Sequence, residues 1–230
     1  MTLLDGLDYY KKWQGSDWQF TLDIEASAVK VVEAIARFNR QPDGPALDAA
    51  YDLLLDIEKW KAMCLGERMI YAQRNPKQTV WDAFYYAVNA SNDEDAILSI
   101  MRLKGFGSSP NDETGRRPAK VASAALRFLK PATWGVVDWR TAAMTGLLKA
   151  SAGDVDQALK LAKKYNAAEL RETYKDNIDG DGACEYNRAY RKMQASSGLP
   201  RTADTDMAVF GLSLIAWPMP KWSGGTPTAA

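Results

Sequence analysis

The chain contains no histidine among its 230 residues, and this absence removes several kinds of catalysis at once. Serine–histidine and cysteine–histidine mechanisms need an imidazole as general base, so neither is available. Two cysteines without histidine also fall short of the four thiolate or imidazole ligands that zinc or an iron–sulfur cluster needs. Any chemistry therefore depends on carboxylates, lysine, tyrosine, hydroxyls or an oxygen-bound metal.

Long hydrophobic runs and a basic leader are missing as well. No apolar stretch approaches the roughly 18–20 residues that cross a bilayer. Residues 1–10 carry acids and no basic residue, which is unlike a signal peptide. The two cysteines, Cys64 and Cys184, lie far apart and fit a reduced protein better than a disulfide scaffold. We therefore expect a cytoplasmic protein with no membrane partner.

The formal net charge is zero, but the charges are unevenly distributed. Residues 1–100 hold 16 acidic and 10 basic residues, whereas residues 101–150 hold 3 acidic and 9 basic residues. A local basic face is typical of a surface that binds phosphate groups. The alternative interpretation is that this basic segment pairs with an acidic N-terminal lobe.

Helical spacing of apolar residues dominates the rest of the chain, and no alternating strand pattern exceeds about four residues. The spacing predicts an all-α fold of nine or ten helices in a single domain over residues 1–222, followed by a disordered tail over 223–230. The predicted helices are 24–38, 46–63, 80–88, 93–103, 119–129, 138–148, 154–164, 167–174, 185–195 and 203–216.

Three features of residues 103–140 suggest a particular chemistry. The turn Gly105-Phe106-Gly107 permits positive φ and close approach of another group, although alone it is also an ordinary helix end. Lys120 opens a helix of small residues, where it is either a solvated lysine or an amine beside a cleft. Asp138 follows two valines and precedes a helix, so it is a helix cap, a partly desolvated carboxylate, or both.

In this order, these residues resemble the helix–hairpin–helix base-excision DNA glycosylases, in the 8-oxoguanine branch. The matching elements are Leu103-x-Gly105-Phe106-Gly107, Ala119-Lys120-Val121-Ala122, Pro131 and Val136-Val137-Asp138. Less characterised prokaryotic relatives are more similar still. They share an Ala-Ser-Ala-x-Leu helix, seen here at 122–126, and a Pro-x-x-aromatic-Gly-Val-x-Asp-x-Arg element, seen at 131–140. Residues 201–208 are similar to the last helix of such proteins.

The resemblance implies a two-lobed helical fold that binds double-stranded DNA and excises a damaged or modified base without a cofactor or a metal. It implies that Asp138 stabilises the charge on the sugar, and that Lys120 forms a Schiff base if it faces the same cleft. The turn Gly105-Phe106-Gly107 would bind a phosphate. Arg116, Arg117 and Arg140 are the expected phosphate contacts, and Trp134 and Trp139 would stack on the extruded base, although a core role is the alternative for these tryptophans. We expect a monomer.

One departure from the family pattern concerns spacing. Eleven residues, 108–118, separate Gly107 from the next helix, where characterised members have one or two. Either the turn is remodelled, or the hairpin is formed by residues 114–118. Residues 177–182 match the first half of a calcium-binding EF-hand loop, but position twelve is Arg188 where a glutamate is required, which favours a simple turn. A non-catalytic DNA-binding module and a helical protein-interaction domain are the alternatives to an enzyme.

Overall fold

The computed structural model describes residues 1–65, 71–107, 119–174 and 178–219, with backbone alone for 62–65. In these ranges the chain forms eleven α-helices, one 3-10 turn at Ala72–Arg74 and no β-strand, which confirms the predicted all-α class. The helices are α1 (Leu3–Gln14), α2 (Asp17–Phe38), α3 (Gly44–Leu65), α4 (Lys77–Asn89), α5 (Asp93–Met101), α6 (Lys120–Leu129), α7 (Trp139–Ala150), α8 (Val155–Ala162), α9 (Ala167–Tyr174), α10 (Gly180–Ser197) and α11 (Thr202–Ala216).

One large hydrophobic core runs from Ile24 in α2 to Trp217 just after α11. It includes Trp81, Phe84 and Trp134, which are among the largest fully buried side chains. Burial of such residues is the main favourable contribution to folding. Helices from the acidic N-terminal part and from the basic central part therefore contribute to the same core, and the division into two lobes stays a prediction.

Helices α1 and α11 approach each other closely where they cross, because Gly6 of α1 faces Gly211 of α11. A Cβ atom added at Gly211 would lie 1.9 Å from the carbonyl oxygen of Gly6, so no larger residue fits without moving a helix. A second, smaller core flanks this crossing, and in it the rings of Tyr10 and Phe210 meet edge to face at 5.7 Å. Helix α1 was not among the predicted helices.

Side-chain caps begin several of the helices. The side chains of Asn92, Asp154 and Asp179 each accept a hydrogen bond from a backbone N–H in the first turn of α5, α8 and α10. Asp179 is thus the N-cap of α10, which begins five residues before the predicted start at 185, and Asn177 lies outside the described residues. No helix within the described ranges combines the length and the apolar character that a membrane span requires.

Candidate active site

A short irregular segment, residues 134–138, connects the end of α6 to the start of α7 and carries Asp138. Side chains from three other helices hold its backbone, since the segment has no neighbouring strand to pair with. The contacts are Gly135 N to Asn187 Oδ1 (3.2 Å), Val136 N to Asp206 Oδ2 (2.7 Å), Val137 N to Ser123 Oγ (3.0 Å) and Tyr190 Oη to Val136 O (3.1 Å). Helices α6, α10 and α11 therefore fix the position of Asp138 in common.

Gly135 makes this arrangement possible by its small size. A Cβ atom at this position would lie 2.5 Å from Cβ of Asp206 and 3.0 Å from the ring of Tyr190. Any side chain would therefore push the segment away from α10 and α11. Burial raises the pKa of Tyr190 well above its ordinary value, so its hydroxyl keeps the proton that it donates to Val136.

Asp138 is the N-cap of α7, as one of the two sequence interpretations predicts. Its Oδ1 accepts the backbone N–H groups of Arg140 (2.9 Å) and Thr141 (3.1 Å), and its own N–H donates to Oγ1 of Thr141. The residue is 8% exposed. The cap and the positive end of the helix dipole both favour a charged carboxylate at this place.

The second carboxylate oxygen of Asp138 faces a lysine that the sequence analysis did not single out. Nζ of Lys61, on α3, lies 3.8 Å from Oδ2 of Asp138. Lys61 is 2% exposed, so both charges of this pair are largely removed from water. A buried ion pair of this kind costs solvation free energy, and its attraction must offset that cost.

Asp206, on α11, adds another buried carboxyl group to the same place. Burial raises its pKa to about 7 from an ordinary value of 3.8, although Arg127 and the Val136 N–H both favour the charged form. Asp138 raises this pKa further by repulsion, and Lys61 lowers it. Asp138, Lys61 and Arg127 therefore all lie close enough to Asp206 to affect its pKa.

Arg127 of α6 completes the cluster and is fully buried. Its Nη2 lies 2.8 Å from Oε1 of Glu25 and 3.1 Å from the sulfur of Met207, and its guanidinium lies over the ring of Phe128 at 4.4 Å. Its Nε and Nη1 are buried and find no acceptor among the described residues. Buried donors without partners are costly, so the two on Arg127 call for an explanation.

We name these residues the buried charge cluster: the buried Lys61, Arg127, Asp138 and Asp206, together with the half-buried Glu25 that pairs with Arg127. Sequence reasoning found one member of the five. The sequence does contain a signal for two of the others, Lys61 and Arg127. Lys61 continues the apolar spacing of Leu54 and Ile57 on α3, and Arg127 interrupts an apolar run in α6. A charged residue on an apolar helix face predicts a buried charge, whereas its partner comes from a distant helix and cannot be read from spacing.

Lys120, the amine predicted from the resemblance, is the first residue of α6 and is half-buried. It lies one helical turn before Ser123, whose hydroxyl holds Val137. The lysine that the structure places against Asp138 is Lys61, which was not predicted. The role of Lys120 stays a prediction.

The turn Gly105-Phe106-Gly107 needs its glycines for conformation and packing. Gly105 and Gly107 have φ values of 85° and 146°, and a Cβ atom at Gly105 would lie 2.4 Å from Cβ of Tyr71. Phe106 is fully buried, and Asn75 holds the preceding Lys104 through both its N–H and its carbonyl. The turn is thus anchored against residues 71–75, and the phosphate contact predicted for it stays a prediction.

Arg140 has a structural position that the sequence did not indicate. Its guanidinium is buried and donates to the carbonyl oxygens of Trp217 (2.7 Å) and Ser213 (3.3 Å), which joins the start of α7 to the end of α11. Burial lowers its pKa, which the nearby charge of Asp138 partly offsets. The phosphate contact predicted for Arg140 stays a prediction. Arg116 and Arg117 lie outside the described residues.

The two predicted base-stacking tryptophans differ in position. Trp134 is 1% exposed and belongs to the large core, which is the alternative role that the sequence analysis gave it. Trp139 is half-buried, and its ring lies 6.4 Å from that of Trp217. A ring that stacks on a base must present an open face. The half-buried Trp139 is compatible with base stacking, whereas the position of Trp134 fits the core role.

Comparison of the chain with models of protein families, with curated proteins and with solved structures gives no match. Function is therefore inferred from the geometry of the buried charge cluster and from the sequence resemblance alone.

Proposed function

We propose that this protein is a DNA glycosylase-like enzyme that excises a damaged or modified base from double-stranded DNA. The observation that carries the proposal is the carboxylate of Asp138. One of its oxygens is fixed by two backbone N–H groups at a helix N-terminus, and the other is free of those bonds and faces a buried amine. A buried, oriented carboxylate is the group that this reaction needs.

The reaction breaks the bond between C1′ of the sugar and a nitrogen of the base. The bonding electrons leave with the base, and positive charge develops on the sugar. Asp138 stabilises that charge, and a water molecule then adds to C1′ and loses a proton, which leaves an abasic site. The target nucleotide must leave the stack first, at a cost of a few kcal/mol that is smallest for a damaged base.

The cost of the cluster supports an enzyme over a purely structural role. Each charge removed from water costs several kcal/mol, and well-packed apolar residues often give equal or greater stability. Buried groups with shifted pKa values, such as Asp206 with a pKa of about 7, concentrate at catalytic sites. If Lys120 faces the same cleft, its amine would attack C1′ and add a lyase step.

The test incubates the protein with duplexes that each carry one modified base and measures abasic sites by cleavage in alkali. Asp138→Asn should abolish base release while keeping the helix cap, because asparagine is as good an N-cap as aspartate; thermal unfolding of the variant checks the cost of leaving Lys61 without this partner. Asp154→Asn is the matched control, since Asp154 is another helix N-cap but is exposed. Unchanged release in Asp138→Asn would refute the assignment. Salt-sensitive DNA binding without any base release would instead indicate a non-catalytic DNA-binding module.

A further inference from the structure

We propose that Lys61 is a positioning residue for Asp138: its ammonium group holds the second carboxylate oxygen, Oδ2, in place. This inference rests on the proposed function. It assigns a role to a residue on α3, which is remote in sequence from the segment that resembles a glycosylase. The supporting contact is the 3.8 Å separation between Nζ of Lys61 and Oδ2 of Asp138.

The two oxygens of Asp138 are held by different groups. Backbone N–H groups of α7 fix Oδ1, and these bonds serve the helix start as well as the carboxylate. Because both bonds go to Oδ1, they restrain rotation of the carboxylate group through one of its two oxygens only. The ammonium group of Lys61 attracts Oδ2 from the other side, at 3.8 Å and therefore as an ion pair longer than a hydrogen bond, so the two contacts together favour one orientation of the carboxylate.

The charges around Asp138 also single out Lys61. Each element packed around Asp138 brings a group to it: Asp206 from α11, Tyr190 from α10, Arg140 from α7 and Lys61 from α3. Asp206 repels a charge on Asp138, and Arg140 directs its donors to the carbonyls of α11. Arg127 pairs with Glu25. Among these cations, Lys61 interacts with both neighbouring aspartates, whereas Arg127 acts on Asp206 and Arg140 on Asp138.

Lys61 occupies a costly place for an ammonium group. It is 2% exposed, on the face of α3 that otherwise buries Leu54 and Ile57. An apolar residue there would pack against the same core without the loss of ammonium solvation. The presence of a lysine at this position is explained if its ammonium group positions the carboxylate of Asp138.

The experiment compares Lys61→Met and Lys61→Arg with Lys59→Met, a matched change at an exposed lysine two positions away on α3. Single-turnover base release and duplex binding are measured separately, on whichever modified duplex the wild-type protein cleaves. Lys61→Met should slow release by about 100-fold, the cost of a misplaced catalytic group, with duplex affinity unchanged. Lys61→Arg should restore most of the rate, because the cation returns, and Lys59→Met should behave as the wild type.

Folding is controlled by thermal unfolding of each variant, and only variants that unfold cooperatively enter the comparison. A Lys61→Met rate equal to that of the wild type would overturn the inference and leave the proposed function intact, since Asp138→Asn tests the latter independently. Borohydride trapping on a duplex with a natural abasic site adds a second readout. Loss of a wild-type covalent adduct in Lys61→Arg, with the adduct retained in Lys120→Gln, would make Lys61 the attacking amine and so overturn the positioning role.

Discussion

Replacement of Asp206 by asparagine should change stability in a way that depends on pH. Asp206 is buried on α11 and has a pKa of about 7, against an ordinary value of 3.8. Because the folded state holds this proton more tightly than the unfolded chain, the stabilising contribution is complete below about pH 3.8 and is lost as the pH rises through about 7. The wild-type protein therefore loses stability through this group between those two values.

The size of the effect follows from the pKa shift. One unit corresponds to about 1.4 kcal/mol, so a shift of about three units gives an upper limit near 4 kcal/mol. The asparagine that replaces Asp206 is neutral at every pH, and its amide oxygen still offers an acceptor to the Val136 N–H. The free energy of unfolding of Asp206→Asn, relative to that of the wild type, should therefore rise from about pH 4 to about pH 8.

Urea unfolding of both proteins across this range measures the difference directly. Asp23→Asn, a change at an exposed aspartate on α2, serves as the control for effects common to the loss of any aspartate. A difference between Asp206→Asn and the wild type that stays constant over the whole range would refute the reasoning, because it would mean that Asp206 has the same charge in the folded and unfolded states.

Two further predictions concern the helix contacts. Gly211→Val should lower the free energy of unfolding by about 3 kcal/mol, because its Cβ would meet the Gly6 carbonyl oxygen. Gly44→Ala is the control: a Cβ there has open space, so the free energy of unfolding should change by no more than about 0.5 kcal/mol. Equal urea midpoints for the two variants would contradict this prediction. Arg140→Met should cost about 2–4 kcal/mol through loss of two charged hydrogen bonds, with DNA affinity of the folded variant unchanged. A weaker affinity with a salt dependence reduced by about one would instead make Arg140 a phosphate contact.

The sequence predicted the regular part of the fold well. The predicted helices 46–63 and 93–103 correspond to α3 (Gly44–Leu65) and α5 (Asp93–Met101), because strong apolar spacing and clear caps act locally. Asp138 was expected as an N-cap, and the structure confirms it. Helix α1 was missed although Leu3, Leu7 and Tyr10 follow helical spacing, and the other buried residues of its face, Gly6 and Gln14, are not apolar core residues that a search for apolar spacing counts.

The site was less predictable for a different physical reason. Asp138 could be singled out from local pattern, but Lys61 lies 77 positions before it and Asp206 lies 68 positions after it. Which distant helices meet depends on packing of the whole core, and no local pattern carries that information. Asp206 stands among short side chains near the start of α11, where a helix cap is the simpler interpretation. Only the assembled helices show that it holds Val136.

The crossing of α1 and α11 has a consequence for the order of folding. The two glycines that meet there are separated by about two hundred residues, and a contact of that range is among the last to be gained as a chain folds. During synthesis α1 emerges about two hundred residues before the helix that covers it. Its buried face includes Leu7 and Tyr10, which stay uncovered by α11 until that helix is made. We therefore expect that α1 detaches before the rest of the molecule opens, and that amide exchange in α1 is faster than in the helices of the large core.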